Sequence, residues 1–160
     1  MQDIAIMRVV QAQIPLLDAA LRQLAADLGD TYSTDQMSLE AALCRPGIGC
    51  FALLASRNET PVGAVLAAPV FSTTRGGAGL FVTDLWVAQT VRGQGLARRL
   101  LAKTLQEGLR RNSGHFLKLA VYHDNPRARA AYDRMGFVAA ADETNMVLTG
   151  TSLELLKETA

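Results

Sequence analysis

Cysteine is nearly absent from this chain: Cys44 and Cys50 are its only two, and they lack the spacing of metal ligands. Reduced, partly buried thiols are expected, and with them a cytoplasmic setting. No apolar run reaches the roughly 18 residues of a membrane span, so neither a spanning helix nor a membrane partner is expected. The N-terminus carries Asp3 and a short apolar stretch where a secretory signal has a basic region and a long apolar core, so no signal peptide is expected. An excess of charge is also missing. Sixteen Lys and Arg against 15 Asp and Glu leave +1, which gives nucleic acid and anionic membranes nothing to hold. There is no internal repeat, low-complexity tract or linker. What remains is 49% apolar and 19% charged, the composition of a folded globular protein, and 160 residues suit one domain, 1–160, with a sizeable core.

The stretch Leu85–Leu101, LWVAQTVRGQGLARRLL, carries the most information. It opens as a strand end, Leu85-Trp86-Val87, and turns through Arg92-Gly93-Gln94-Gly95-Leu96-Ala97. It then continues as a helix with Leu96, Leu100, Leu101 and Leu105 on one side. A glycine-rich turn that opens a helix presents N–H groups without internal partners, aligned with the helix dipole, and so forms an anion site. Gly93 and Gly95 let a ligand approach the backbone. Arg92 adds a positive fork of donors suited to phosphate. The residues alone read as a pyrophosphate cradle, or else as a plain tight turn beside a chance arginine. A dinucleotide fingerprint does not fit, because Arg98 stands at the third glycine position. A Walker loop does not fit, because Leu96-Ala97 stands directly after Gly95, where that loop needs Lys-Ser or Lys-Thr.

Arg92-x-x-Gly95-x-Ala97 resembles the acetyl-CoA signature of the GNAT superfamily of N-acetyltransferases, R/Q-x-x-G-x-G/A, and Asp84-Leu85-Trp86-Val87 resembles its central strand. About thirty residues on, Asn125-Pro126-Arg127-Ala128 through Tyr132 to Gly136-Phe137 resembles the second signature, in the family's order and spacing. The resemblance implies an α+β GNAT domain, a mixed central sheet flanked by helices. It implies acetyl-CoA as co-substrate and no metal. It places Leu85, Trp86, Val87, Arg92, Gly93, Gln94, Gly95, Leu96 and Ala97, with Asn125 and Arg127, on the cofactor. The sheet would splay between the strands near 80–88 and 115–122, with the pantetheine arm pairing near Leu85 and Val87 like an added strand. A backbone N–H near Val87 would meet the developing oxyanion.

The rest of the chain reads as follows. Ile4–Val10 is expected as a strand. A helix is expected from Pro15 to a stop at Gly29, and a second from Ser33 or Thr34 to Leu43, ended by Pro46-Gly47. Cys50–Ser56 and Val62–Val70 read as strands joined by a polar hairpin connection. Phe71–Gly79 reads as a loop, either a mobile cover or a loose hairpin. Leu80–Ala88 and His115–Tyr122 read as strands, the second carrying Lys118. Asn125 and Pro126 suit the N-cap and first position of a helix ended by Gly136. Phe137–Ala140 and Asn145–Thr149 read as a closing hairpin, and Thr151-Ser152-Leu153-Glu154 as a capping box before a terminal helix.

The catalytic candidates are Asp84 and Tyr132. Asp84 interrupts an apolar strand, where a carboxylate is costly without a partner. It is either a hydrogen-bonded structural residue or a carboxylate aimed into the cleft. The resemblance puts the usual acidic residue one position earlier, at Thr83, and neighbouring strand residues face opposite ways unless a bulge intervenes. Tyr132 is a core residue on the residues alone. The resemblance makes it the proton donor to the CoA thiolate. His123 is a weaker candidate base. No Lys or Arg lies between Arg22 and Arg45, while Asp27, Asp30, Asp35 and Glu40 do. They read as solvated helix ends or as an acidic rim that draws a cation.

Because FSTTRGGAGLFVTDLWV resembles the same region of diamine (spermidine/spermine-like) N-acetyltransferases, a small polyamine acceptor is expected. A peptide or protein N-terminus, an amino acid or an aminoglycoside is the alternative within the same chemistry. A non-catalytic acyl-CoA sensor is the alternative of another class. Homodimers are frequent in the family.

Overall fold

The computed structural model describes residues 4–159. They form two compact units that meet in sequence at Tyr122 and His123.

In the first unit, local signals set the helices. Pro15 fixes the first turn of α1, Ile14–Leu28, and Gly29 ends it in the left-handed region at φ 74°, its N–H donating to the Ala25 and Ala26 carbonyls. The next helix, α2, covers Gln36–Cys44, and Asp35 caps it by accepting from the Ser38 N–H at 2.8 Å. It therefore starts later than Ser33 or Thr34, because the side chain that closes the first turn is that of Asp35.

Five strands form one sheet in chain order. β1 is Ala5–Arg8, β2 Phe51–Arg57, β3 Thr60–Ser72 and β4 Gly77–Val87, each antiparallel to the one before. β5, Leu117–Leu119, lies parallel to β4. The β2–β3 turn is Asn58-Glu59, with φ 48° and 65°, both left-handed as a primed two-residue hairpin requires. The segment expected as a loop at Phe71–Gly79 is mostly hairpin, since Phe71 pairs with Ala78 and Ser72 with Gly77. β5 is shorter than the expected His115–Tyr122. Only Leu117–Leu119 pair with Leu80–Val82, after which the two chains part.

Apolar side chains fill both faces of the sheet. Ile14, Leu17, Ala20, Leu21 and Leu39 pack with Ala52, Leu54, Ala64 and Trp86 on one face. Helix α3, Leu96–Leu109, covers the other. Its Gly108 is needed there, because an added Cβ would stand 2.6 Å from Leu80 Cδ1. The fold is thus the expected α+β arrangement of a mixed sheet between helices.

In the second unit, Asn125 caps α4, Pro126–Arg134, by accepting from the Ala128 N–H at 3.1 Å, as its sequence predicts. α5 is Gly150–Lys157. Two expectations fail here. Phe137–Ala140 and Asn145–Thr149 are not strands in the described chain, and Val138, Met146 and Val147 are 92%, 90% and 85% exposed. A strand is stable only against partner strands, and the described residues of this unit form none. The capping box at Thr151 does not form, because α5 already begins at Gly150 and Thr151 lies inside it. No helix among the described residues is long and apolar enough to cross a membrane.

Candidate active site

The turn before α3 has the features of an anion cradle. Gly93 and Gly95 have φ 80° and 79°, and the space where each Cβ would stand is open to 4 Å. Gly95 is the N-cap and offers no capping side chain, so the amides of the first turn point outward without one. That turn holds no acidic residue. It holds Arg98 and Arg99 instead, a choice the helix dipole disfavours unless an anion is bound nearby. Arg99 Nη2 donates to the Ile4 carbonyl at 2.9 Å, whereas Arg98 is exposed. Gln94 Nε2 reaches the Thr90 carbonyl at 3.4 Å, and Leu96 is buried.

Arg92 is placed differently from its expected role. Its Nε donates to the Val87 carbonyl at 2.8 Å and its Nη2 to Asp27 Oδ2 at 2.5 Å. Trp86 Nε1 donates to the same oxygen at 3.2 Å. The guanidinium and the indole are therefore engaged with α1.

β4 carries a bulge at Thr83. Val82 faces Ala67 and Asp84 faces Leu66, so Thr83 has no residue opposite. The bulge reverses the strand's alternation. Leu80 packs toward α3, yet Trp86, six residues on, packs toward α1. Asp84, two residues before Trp86, shares its face. This answers the question the sequence leaves at Thr83 and Asp84: the extra residue turns Asp84 toward α1.

The bulge coincides with the parting of β4 from β5, whose last pair is Val82 with Leu119. The Ala88 N–H bonds the Val62 carbonyl at 2.9 Å, and antiparallel pairs alternate, so Trp86 and Asp84 also bond toward β3. Leu85 and Val87 then turn their N–H and C=O groups to the other edge. Among the described residues no strand covers that edge.

Asp84 lies against this opening. Burial raises its carboxyl above the ordinary carboxylate value, with the Thr83 hydroxyl, donating at 2.7 Å, pulling the other way. Tyr32 packs against the α1-side core together with Leu66, the residue opposite Asp84. Its hydroxyl donates to Asp18 at 2.7 Å, and Arg22 Nε donates to the other Asp18 oxygen at 2.9 Å while lying over the Tyr32 ring. Burial raises the Tyr32 phenol, as does its bond to Asp18. Burial also pushes Asp18 up, but the donors around it outweigh that and hold it low. The four acids of the expected rim all have partners within the chain. Asp27 holds Arg92, Asp30 accepts from Tyr122, Asp35 caps α2 and Glu40 accepts from Gln11.

The profile of the acetyltransferase (GNAT) family matches residues 17–137. The chain belongs to that family. N-alpha-acetyltransferase 40 of Saccharomyces cerevisiae is 34% identical over 67 residues, which cover 38% of this chain. The chain spans about a quarter of that relative's length, 24%. Among solved structures, an integron cassette protein from the mobile metagenome of V. cholerae superposes with TM-score 0.78 at 18% identity, covering 99% of each chain. An aminoglycoside acetyltransferase from an uncultured soil metagenomic sample, in complex with sisomicin, gives 0.76 at 15% identity, covering 92% of this chain and 97% of its own. A ribosomal-protein-alanine N-acetyltransferase from Brucella melitensis biovar Abortus 2308 gives 0.68 at 21%, covering 92% and 100%. These structural likenesses are likenesses of fold.

The second GNAT signature lies in the second unit. Asn125 uses its side chain for the α4 cap, and Arg127 is exposed in the first turn of that helix. Tyr132 stacks edge-on with Phe137, ring centres 5.6 Å apart, and burial raises its phenol pKa. His123 is exposed. Reasoning from sequence missed Tyr32, Asp18 and Arg98. The i,i+4 spacing of Asp18 and Arg22 was a visible signal for their pair, whereas Tyr32 had none.

Proposed function

We propose that this chain is an N-acetyltransferase, one catalytic domain over residues 1–160, that moves an acetyl group from acetyl-CoA to a primary amine by direct attack. The observation that carries the reading is the β4 bulge, which brings a half-buried Asp84 to the place where β4 leaves β5. The family match, residues 17–137, extends past the first unit into the second, which supports reading the chain as one domain.

Acetyl-CoA supplies a thioester carbonyl open to attack. The backbone of Gly93–Ala97, with Arg98 beside it, suits the diphosphate: open space at two glycines and outward amides. The Val87 N–H is directed to the open edge and is the proposed donor to the carbonyl oxygen. Asp84 takes the proton from the attacking nitrogen, and its raised pKa makes it a better base than an ordinary carboxylate. As the C–N bond forms and the C–S bond breaks, Tyr132 gives its proton to the departing sulfur. The family signature carries that role. Asn125 and Arg127 are carried by the same signature.

The proposed acceptor is a small polyamine, on the likeness of the β3–β4 segment to diamine acetyltransferases. The rim carboxylates are engaged, so recognition of the amine falls to Asp84, with Leu66 opposite it and Tyr32 nearby. An aminoglycoside or a peptide N-terminus is the second reading, on the names of the similar proteins. A cytoplasmic setting and a homodimer complete the proposal, and the two free cysteines agree with the first. The test is release of free CoA across a panel of polyamines, aminoglycosides, peptides and amino acids. Turnover with one class assigns the acceptor. Binding of acetyl-CoA with no turnover on any amine would make the chain a sensor.

A further inference from the structure

We infer that Asp27 and Asp30 are positioning residues that fix the width of the opening between β4 and β5, and so govern how the arm of acetyl-CoA is held; the inference rests on the acetyl-CoA reading above. Both carboxylates sit where a helix end disfavours them. Asp27 is in the last turn of α1 and Asp30 lies just past the Gly29 cap, next to outward carbonyls. Each has a partner far away in sequence instead. Asp27 Oδ2 accepts from Arg92 Nη2 at 2.5 Å and from Trp86 Nε1 at 3.2 Å. Asp30 Oδ2 accepts from the Tyr122 hydroxyl at 3.0 Å.

These partners stand on opposite arms of the opening. Trp86 is on β4 and Arg92 is in the turn that follows it. Tyr122 lies three residues beyond Leu119, the last residue of β5. At this level the arms share no ladder bonds, because their pairing stops at Val82 and Leu119. The end of α1 spans them in place of the ladder. Arg92 passes the restraint to the edge itself, since its Nε holds the Val87 carbonyl at 2.8 Å. The Asp27–Arg92 pair is largely shielded, with side chains 18% and 26% exposed, so water does not easily replace it. This gives Arg92 a role other than phosphate binding. It also gives the acids of this segment a role other than drawing a cation.

The test compares wild type with Tyr122→Phe, Asp30→Ala, their double variant, Asp27→Ala and Arg92→Gln. Three ligands separate the ends of the cofactor: acetyl-CoA, acetyl-pantetheine, which lacks the nucleotide, and 3′-phospho-ADP, which lacks the arm. Tyr122 is 52% exposed and Phe removes only its hydroxyl, so this variant is expected to fold even if changes at Asp27 do not. Each single variant should weaken acetyl-CoA and acetyl-pantetheine by the same factor, about 2- to 10-fold for one hydrogen bond, and leave 3′-phospho-ADP unchanged. Tyr122→Phe with Asp30→Ala should be no worse than either alone, because both remove the same hydrogen bond. Unchanged acetyl-pantetheine affinity in Tyr122→Phe, or a loss that falls on 3′-phospho-ADP, overturns the inference. A loss of 3′-phospho-ADP binding in Arg92→Gln returns that arginine to the phosphate. If wild type binds none of the three, the acetyl-CoA reading itself fails.

Discussion

Asp84 is the residue on which structure and chemistry pull apart. Its folded-state pKa is raised by burial, so between the unfolded value of 3.8 and the higher folded value the native chain holds more proton than the unfolded one. Stability therefore falls as pH rises through that window and stays lower above it. Asp84→Asn should remove this loss. Melting temperature at neutral pH should rise, its decline on leaving acid pH should flatten, and kcat should drop by about 10²–10⁴-fold. Melts from about pH 4 to pH 8 beside steady-state rates check both halves. A melting temperature that falls in the variant would make Asp84 a structural residue. Tyr132→Phe keeps the ring contact with Phe137 and loses only the hydroxyl. It should lower kcat by a similar factor, with acetyl-CoA affinity and melting temperature nearly unchanged. Single-turnover rates would keep product release from masking the effect. Sequence could name Asp84 and Thr83 as rivals but could not choose between them. A bulge is a matter of what lies opposite on β3, sixteen or more residues away, and leaves no mark on β4 itself.

At the scale of elements, α3 shows how ligand and fold can want opposite things. Its first turn carries Arg98 and Arg99 where the dipole prefers acid. Arg98→Glu should thus raise the melting temperature of the ligand-free protein slightly while shrinking the further rise that acetyl-CoA produces. Thermal shift with and without ligand reads both at once, and a variant in which the two move together would remove Arg98 from the cradle. The helices were legible in the sequence because their signals are local: Pro15 and Gly29 bound α1, and Asn125 and Pro126 open α4. Strands were less so. Phe71–Gly79, rich in glycine, reads as loop until Gly79 is seen to admit the chain at Phe116, whose carbonyl would stand 2.5 Å from any Cβ there. Val138 and Met146–Leu148 have strand-like composition, but composition cannot supply a partner, and they remain exposed and unpaired.

For the molecule as a whole, the acids of the first two helices are engaged within the chain more than they are displayed to a ligand. Asp27, Asp30, Asp35 and Glu40 all answer to partners in the chain, so long-range attraction of a cationic acceptor should be weak. At saturating acetyl-CoA, turnover of a polyamine and of a neutral amine should respond alike to added salt. A steeper fall for the polyamine would restore the acidic rim. The open edge of β4 has a consequence of another kind, in the rate at which backbone hydrogens trade with solvent. At the end of β4 and just past it, the amides of Trp86 and Ala88 are locked against the β3 side and those of Leu85 and Val87 are not. In deuterated water the strand should label in alternation, Leu85 and Val87 filling early and their neighbours late. Acetyl-CoA that adds itself as a strand would erase the alternation by slowing those two amides, whereas a ligand held only at the phosphate turn would leave it intact.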